Sequence, residues 1–237
     1  MDEQEPARQQ QRTFPPNFRD VGGVPTQNGA IIRRGRVFRS SHLSGLDDTT
    51  LESLRQLGIT TVCDLRWPNE IECQGRDRLD DGNTHYRYIP LANPERDGGE
   101  SSGPGTGGAP RADAFFRYAL ESATDSIRET LETFADGANY PILVHCTNGR
   151  YRTGLIIALL LKIAGVSNDL IIRDYLLSQG QRLLTFPTGA DPKLQPDDLE
   201  RTFAWIDETY GDIDGFCHAI GLSEEQLAEI RRQLVER

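Results

Sequence analysis

The stretch Ile142-Leu-Val-His-Cys-Thr-Asn-Gly-Arg-Tyr-Arg-Thr-Gly154 decides the fold of this chain. It opens with a short apolar run from Ile142 to Val144, which predicts a buried strand. After a loop, the chain is predicted to continue as a helix from Thr153 to about Ala164. In such a strand–loop–helix unit, successive backbone N–H groups point into a concavity at the helix N-terminus, where an oxyanion is bound. The stretch therefore predicts a phosphate-binding loop.

The residue types within this loop predict a cysteine nucleophile. Five residues separate Cys146 from Arg152, which is the spacing needed to wrap a loop around one phosphate. Arg152 can grip two phosphate oxygens with its planar fork. The helix dipole, the loop N–H groups and Arg152 favour the thiolate, so we expect the pKa of Cys146 to fall to roughly 3.5–7.5. Thr153 is expected to donate to the sulfur, His145 to hydrogen-bond the loop backbone, and Gly149 to let the backbone approach the anion.

This arrangement points to thiolate attack on a phosphomonoester, formation of a phosphocysteine and its hydrolysis. The reaction needs neither a metal nor another cofactor. Cys146 and Arg152 are the catalytic candidates. The residues expected to bind phosphate are Thr147, Asn148, Gly149, Arg150, Tyr151, Arg152 and Thr153. The alternative is a buried cysteine before a buried helix, which the combination of residue types at these offsets disfavours.

The motif His145-Cys146-x5-Arg152-Thr153-Gly154 resembles the signature of the cysteine-dependent protein tyrosine phosphatase superfamily. Further segments resemble its microbial tyrosine phosphatase branch: Asn17-Phe-Arg-Asp-Val-Gly-Gly23, Arg39-Ser40, Asp64-Leu65-Arg66 with Glu70, Asp174-Tyr-Leu-Leu-Ser178 and Gly221-Leu-Ser. The likeness covers most of the chain from Phe14 onward. It implies a protein tyrosine phosphatase-like fold and the hydrolysis of phosphorylated proteins or small phosphomonoesters.

The rest of the chain predicts an α/β fold. Strands separated by helices indicate a mainly parallel central sheet covered on both faces, giving three αβα layers. Strands are expected at 59–65 and 85–91, with two short pieces within 30–40. Helices are expected from Asp47 or Asp48 to 56, over 112–134 in one or two pieces, from Asn168 or Asp169 to 178, over 197–210, and after the capping box that starts at Ser223.

A general acid is expected at the carboxyl end of the strand 59–65. If this strand runs parallel to Ile142–Val144, its end delivers Asp64 to the sheet edge that holds Cys146. Asp64 is therefore the first candidate to protonate the leaving group. A salt bridge between Asp64 and an arginine is the alternative.

Two other carboxylates, Asp97 and Asp191, lie in predicted loops and are reserve candidates for this acid. Trp67-Pro68 invites comparison with the acid-bearing Trp-Pro-Asp loop of the superfamily. The next residue, however, is Asn69. An amide cannot give up a proton at neutral pH, so we exclude this position.

The loop departs from the branch pattern at one pair of residues. Where the branch usually has Lys-Asp before the loop arginine, this chain has Arg150-Tyr151. Arg150 keeps the positive charge, as basic residues do in phosphatases of inositol lipids and inositol phosphates, so such an enzyme of the same fold is the first alternative. Tyr151 removes a carboxylate, which leaves open a phosphate-binding pseudophosphatase.

Two other segments have alternative interpretations. Arg33, Arg34, Arg36 and Arg39 form a basic cluster, which is interpreted as a solvated hairpin edge or as a second anion subsite; we favour the edge. The run 93–109 is dense in Gly, Pro, Ser and acidic residues and predicts a mobile loop, which covers the active site or is a tolerated insertion.

Length and composition limit the possible classes of protein. We expect one phosphatase domain over 13–237, after a polar disordered tail at 1–12, in a chain of 237 residues. The net charge of −10 disfavours nucleic-acid binding. No apolar run approaches the roughly 20 residues of a membrane span, and the N-terminus lacks a secretory signal pattern. The four scattered cysteines predict neither a zinc site nor disulfides, which fits a cytoplasmic location.

Overall fold

The computed structural model describes residues 13–79, 82, 84–92, 112–180 and 193–236. The predicted tail 1–12, the predicted loop 93–109 and the reserve carboxylates Asp97 and Asp191 lie outside these residues. The predicted phosphate loop and the strand and helix on either side of it lie within them.

A five-stranded sheet forms the centre of the protein. The strands in chain order are β1 (Arg19–Asp20), β2 (Ile31–Ile32), β3 (Val37–Ser40), β4 (Thr61–Asp64), β5 (His85–Tyr88), β6 (Ile142–His145) and β7 (Val235–Glu236). The central sheet has the order β1-β3-β6-β4-β5, and only β1 runs antiparallel to its neighbour. Ser40 and Asp64 both pair with His145, so β3, β4 and β6 end at the same sheet edge.

Nine α-helices accompany these strands in the described residues. They are α1 (Asp48–Arg55), α2 (Pro68–Gln74), α3 (Ala112–Ser122), α4 (Thr124–Phe134), α5 (Tyr151–Ile163), α6 (Asn168–Leu176), α7 (Pro196–Tyr210), α8 (Ile213–Ala219) and α9 (Glu224–Leu234). Asp47 caps α1 and Ser223 caps α9, as the sequence predicts. Among the described helices, none combines the length and the apolar character needed to cross a membrane.

Helices cover both faces of the central sheet. Val37, Ile142 and Val144 point to one face, where they pack with buried residues of α3 to α9. Phe38 and Leu143 point to the other face, where they pack against α1. This alternation follows from the two-residue period of a strand. The predicted α/β fold with three αβα layers and a mainly parallel sheet is confirmed.

Helix α5 is buried on all sides and follows the predicted phosphate loop. Every residue from Leu155 to Leu161 is at most 2% exposed. A helix that is apolar all round is stable only inside a core, and this packing fixes its N-terminus. The chain leaves α5 at Gly165, whose φ of +81° suits glycine. The loop before α5 is therefore attached to a rigid support.

The segment 30–40 differs from the predicted hairpin edge. β2 pairs with β7, and β3 lies between β1 and β6. Because β3 is an inner strand, Arg39 is 0% exposed, so the solvated-edge prediction is wrong for this residue. Helices α2 and α8 were not predicted. None of the residues of α2 is buried, so it gives no apolar periodicity, and α8 has only seven residues.

Candidate active site

The loop between β6 and α5 brings the predicted nucleophile to a helix N-terminus. β6 ends at His145 and α5 begins at Tyr151, two residues earlier than predicted. Cys146 is only 3% exposed at the bottom of this loop. In the described part of the protein, the backbone N–H groups of Thr147, Asn148 and Gly149 donate to no protein acceptor. These N–H groups and the helix dipole favour an anion here.

The surroundings of Cys146 favour its thiolate. Burial alone would raise the pKa of the thiol. The charge of Arg152 and hydrogen bonds from the hydroxyl and backbone N–H of Thr153 outweigh burial, so the pKa of Cys146 lies below its ordinary value of 9.0. The expected direction of the pKa shift is confirmed, and a thiolate is the reactive form of cysteine.

Glu70 orients Arg152. The Arg152 Nη1 and Nη2 groups donate to Glu70 Oε2 and Oε1 at 2.5 and 2.6 Å, and Nη1 also donates to Leu65 O at 3.1 Å. The indole of Trp67 lies over the guanidinium, with its ring centre 4.8 Å from Cζ. Burial would raise the pKa of the Glu70 carboxyl, but Arg152 and a hydrogen bond from Thr147 lower it below its ordinary range. Glu70 is therefore a carboxylate that holds Arg152 in one orientation.

The first turn of α2 explains the position of Glu70. The backbone N–H of Trp67 donates to Glu70 Oε2 at 2.7 Å, which completes a capping box, and Pro68 occupies the first turn. The Thr147 hydroxyl donates to Glu70 Oε1 at 2.5 Å, so the same carboxylate also contacts the phosphate loop. The sequence resemblance includes Glu70 but gives it no role. The capping pattern around Pro68 was the signal that locates it.

Gly149 is required for contact between two backbone segments. Its φ is +65°, and a Cβ at this position would lie 2.3 Å from Ser40 O. This contact excludes a side chain at Gly149, and the expected approach of the backbone to an anion stays a prediction. The carbonyl of Gly149 accepts from Asn17 Nδ2 and from Arg39 Nη2, both at 2.8 Å. Asn17 Nδ2 also donates to Asn148 O at 3.1 Å. Two segments far away in sequence therefore hold the back of the loop.

Asp174 links the side chains behind the loop. It accepts from Arg19 Nε at 2.8 Å and from Arg39 Nη1 at 2.6 Å. The Ser178 hydroxyl lies 3.1 Å from Arg19 Nη2 and 3.3 Å from Arg39 Nη2. Arg19 also donates to Asn17 Oδ1 at 2.6 Å. Three of the segments that carry the sequence resemblance thus form one network behind the phosphate loop.

Asp64 lies at the expected sheet edge but inside the protein. Its side chain is 0% exposed and accepts from Arg66 Nη2 at 2.7 Å and from the Tyr86 hydroxyl at 2.5 Å. Burial would raise the pKa of Asp64, but His145, Arg66 and Tyr86 hold it well below its usual range. The carboxyl is thus ionised and turned away from solvent. The structure forms the alternative, a salt bridge with an arginine, and disfavours Asp64 as the general acid, a role that stays a prediction.

His145 lies beneath the loop, as expected. Its Nδ1 is 3.4 Å from Cys146 O, and its Nε2 is 2.6 Å from Asp77 Oδ2. Burial would lower the pKa of this imidazole, but the carboxylates of Asp77 and Asp64 raise it to about 9. The predicted hydrogen bond between the ring and the loop backbone is confirmed, and Asp77 is a further partner that sequence reasoning missed.

The atypical pair in the loop points into the protein. Arg150 is 1% exposed, so its side chain does not reach the surface beside the pocket. The Tyr151 ring packs edge-on against Phe115 and Phe116 of α3, at centroid distances of 6.4 and 6.5 Å. The charge that supported an inositol phosphatase is therefore buried, and Tyr151 replaces a carboxylate with an aromatic contact.

A metal does not fit the cluster beneath the loop. One ligand atom from each of Asp64, Asp77 and His145 lies within 4.8 Å of the others, a spacing compatible with a metal ion. Arg66, however, donates to both carboxylates, at 2.7 and 2.9 Å, and so already supplies a cation there. The cluster is better described as a set of buried ion pairs.

Comparisons with known proteins show which proteins this chain resembles. A model of a tyrosine phosphatase family matches residues 13–236. The triple specificity protein phosphatase PtpB of Mycobacterium tuberculosis is 30% identical over 271 residues, covering 92% of this chain and 96% of that protein. A tyrosine-protein phosphatase of Nostoc commune is 27% identical, covering 89% and 78%. The solved catalytic core of the PP-IP phosphatase SIW14 from S. cerevisiae has a TM-score of 0.48 at 19% identity, covering 88% of this chain and 93% of that chain. The match over nearly the whole chain shows that this protein belongs to the tyrosine phosphatase family and is a phosphatase.

Proposed function

We propose that this enzyme hydrolyses phosphotyrosine in proteins through a phosphocysteine on Cys146, with Arg152 as the phosphate clamp. One observation carries the proposal. A thiol with a lowered pKa lies at a helix N-terminus, in the field of a guanidinium that is held by Glu70. Thiolate, anion-binding backbone and oriented cation are the three parts that phosphoryl transfer to cysteine requires.

Arg152 keeps one fork of donors for the phosphate. A guanidinium has five N–H donors. Glu70 takes one from each of Nη1 and Nη2, and Leu65 O takes the second from Nη1. The two donors that remain in the described structure are Nε–H and one Nη2–H, which point in parallel on the same side of the planar group. They fit two oxygens of one phosphoryl group.

The reaction has two chemical steps. In the first, the Cys146 sulfur forms a bond to phosphorus, the bond from phosphorus to the leaving oxygen breaks, and that oxygen takes a proton. In the second, water attacks phosphorus, the S–P bond breaks, and inorganic phosphate and the thiolate are released. Arg152 and the backbone N–H groups of Thr147, Asn148 and Gly149 stabilise charge on the equatorial oxygens in both steps. The remaining predicted phosphate ligands at Arg150, Tyr151 and Thr153 would contribute through the backbone or, for Thr153, through its hydroxyl to the sulfur.

The substrate class rests on the relatives and on the pocket. Two relatives are named as a triple specificity protein phosphatase and a tyrosine-protein phosphatase. Shorter matches are to proteins named inositol diphosphatase, one at 46% identity over 39 residues. These keep an inositol phosphatase as the second candidate function, although Arg150 is buried and no longer supports it. The nucleophile is only 3% exposed, which suits a phosphate carried on a protruding side chain such as tyrosine.

A substrate panel at fixed enzyme concentration separates these functions. The panel contains a phosphotyrosine peptide, a phosphoserine peptide, a phosphoinositide and a soluble inositol phosphate, with Cys146→Ser as the control for contaminating activity. We expect the highest kcat/KM for the phosphotyrosine peptide and none above background for the serine variant. Preference for either inositol compound would replace the proposed substrate class. Vanadate binding without turnover of any substrate would establish a pseudophosphatase.

The same chemistry favours a cytoplasmic location, because a catalytic thiolate needs a reducing compartment. All four cysteines are free in the structure. Fractionation of the native organism with an antibody against the chain tests this location, and recovery outside the cytoplasm would contradict it.

A further inference from the structure

A cluster of four buried charged side chains lies beneath the phosphate loop. Asp64, Arg66, Asp77 and His145 each have a side chain that is 0% exposed. Arg66 Nη2 donates to Asp64 at 2.7 Å and to Asp77 at 2.9 Å. Two buried carboxylates and one guanidinium would leave one uncompensated negative charge, which is costly inside a protein. The cluster therefore requires a second cation.

His145 is the group in position to supply that charge. Its Nε2 lies 2.6 Å from Asp77 Oδ2, and its Nδ1 lies 3.4 Å from Cys146 O and 3.8 Å from Asp64 Oδ1. Each ring nitrogen lies within 3.4 Å of an oxygen that can only accept, and only the imidazolium form has a proton on each nitrogen. The raised pKa of His145, about 9, has the same physical cause.

The other titratable groups around the ring do not take this role. His42 is buried nearby, and burial together with Arg66 and His145 lowers its pKa to about 4, so it is neutral. Tyr86 donates its hydroxyl to Asp64 and stays protonated, because burial and Asp64 raise its pKa.

We propose that Asp77 is a positioning residue for catalysis: it keeps His145 as an imidazolium against the backbone carbonyl of Cys146. Asp77 is itself fixed by Leu43 N, which donates to its Oδ1 at 3.1 Å, and by Arg66. The ring lies with Nε2 2.6 Å from Asp77 Oδ2 and Nδ1 3.4 Å from the backbone carbonyl of Cys146, so its positive charge adjoins the backbone of the nucleophile. The inference rests on the proposed role of Cys146 and adds the group that maintains the charge beneath it.

The Asp77→Asn variant separates charge from structure. The new amide oxygen can still accept from Leu43 N and Arg66, while its NH₂ group faces His145 Nε2. The ring is then neutral with its proton on Nδ1, and the contact with Cys146 O persists. The variant loses the negative charge of Asp77 and, with it, the positive charge of His145, while these contacts remain. We expect the pH at which Cys146 becomes reactive to rise by about one unit, which is a tenfold loss of thiolate below that pH. The rate plateau at higher pH should be unchanged.

Two measurements that need no phosphatase turnover test this role. The first is ring ¹H–¹⁵N NMR of the full chain, with the His145 signal identified as the one that persists in His42→Gln, His85→Gln and His218→Gln. In the wild type we expect both ring nitrogens to carry protons at neutral pH, with titration near 9. A neutral wild-type ring at neutral pH would overturn the proposal, and this result does not depend on the folding of any Asp77 variant.

The second measurement is the pH profile of iodoacetamide alkylation at Cys146, read by peptide mass spectrometry in the wild type, Asp77→Asn and Tyr86→Phe. Tyr86→Phe removes a hydrogen bond to the cluster without changing its charge and should keep the wild-type profile. In Asp77→Asn, an alkylation profile whose rise moves to higher pH, with an unchanged rate at its high-pH plateau, supports the proposal. A profile that rises at the wild-type pH, with or without a lower plateau rate, overturns the proposal and assigns Asp77 a structural role. If the wild type alkylates as expected but hydrolyses no phosphoester, the proposed function fails separately.

Discussion

Glu70→Gln tests the orientation of Arg152. Both Glu70 oxygens accept from Arg152, one also accepts from the Thr147 hydroxyl, and the other accepts from Trp67 N. Glutamine has nearly the same shape, but one end of its amide is a donor. Whichever way the amide turns, that end faces an N–H of Arg152, so at least one of the two bonds to the guanidinium is lost together with the negative charge.

The contacts set the size of the effect. The side chains of Arg152 and Glu70 are 10% and 19% exposed, so water screens their attraction only in part. Hydrogen bonds to charged groups contribute about 1.5–3 kcal/mol each, and we expect the variant to lose roughly 2–3 kcal/mol of unfolding free energy. A guanidinium that is no longer aimed at the phosphoryl group loses transition-state stabilisation, so kcat should fall by about 10²-fold.

Steady-state kinetics with p-nitrophenyl phosphate and urea unfolding measure both effects. Glu72→Gln is the matched control, because it makes the same change at an exposed position on the same helix. Glu70 also raises the pKa of Cys146, so Glu70→Gln should move the acid limb of the kcat/KM profile to lower pH even as kcat falls. A kcat equal to that of Glu72→Gln, or an acid limb at higher pH, would refute this account of Glu70.

Four further changes test other parts of the site. Arg152→Lys keeps the positive charge but loses the paired N–H donors of the guanidinium, so kcat should fall by about 10²–10³-fold. A raised KM with unchanged kcat would mean that Arg152 binds the substrate and the transition state equally well. Asn17 has a φ of 59°, so Asn17→Ala should be less stable in urea than Asn17→Gly by about 1 kcal/mol, and equal stabilities would contradict strain there. Asp64→Asn should slow the release of tyrosyl and p-nitrophenyl groups by the same factor, which would direct the search for the general acid to Asp97 and Asp191. A larger fall in the rate of tyrosyl release alone would support Asp64 as the general acid. The pKa of His145 rises from 6.5 to about 9 on folding. This shift stabilises the fold by roughly 3 kcal/mol below pH 6.5, and the stabilisation is lost as pH rises through 9. Asp77→Asn should therefore lower the unfolding free energy most below pH 6.5, and a loss that is the same at every pH would exclude this link between protonation and stability.

Local sequence patterns predicted the parts of the site that lie close together in the chain. The spacing of Cys146 and Arg152, the apolar strand before them and the apolar helix after them belong to one continuous stretch. The structure places them as β6, a loop and α5. Helix caps at Asp47 and Ser223 were also readable, because a capping side chain and the backbone N–H that donates to it are three residues apart.

Contacts between distant segments could not be predicted in the same way. Arg39 is one of four arginines in a short segment, and only the inner position of β3 buries it against Gly149 O. A side chain at Gly149 would clash with Ser40, more than a hundred residues earlier, and no local pattern shows that contact. Parallel strands correctly brought Asp64 to the edge beside His145. The direction of its side chain depends on Arg66 and Tyr86, which no local pattern shows.

The most direct test of the account is acid quenching during turnover of a ³²P-labelled phosphotyrosine peptide, followed by mapping of the labelled peptide. We expect one acid-stable phosphoryl group on Cys146, which disappears in Cys146→Ser and accumulates when a good leaving group makes hydrolysis rate-limiting. Label on another residue, or full turnover by Cys146→Ser with no labelled protein, would contradict the central claim that this phosphatase acts through Cys146.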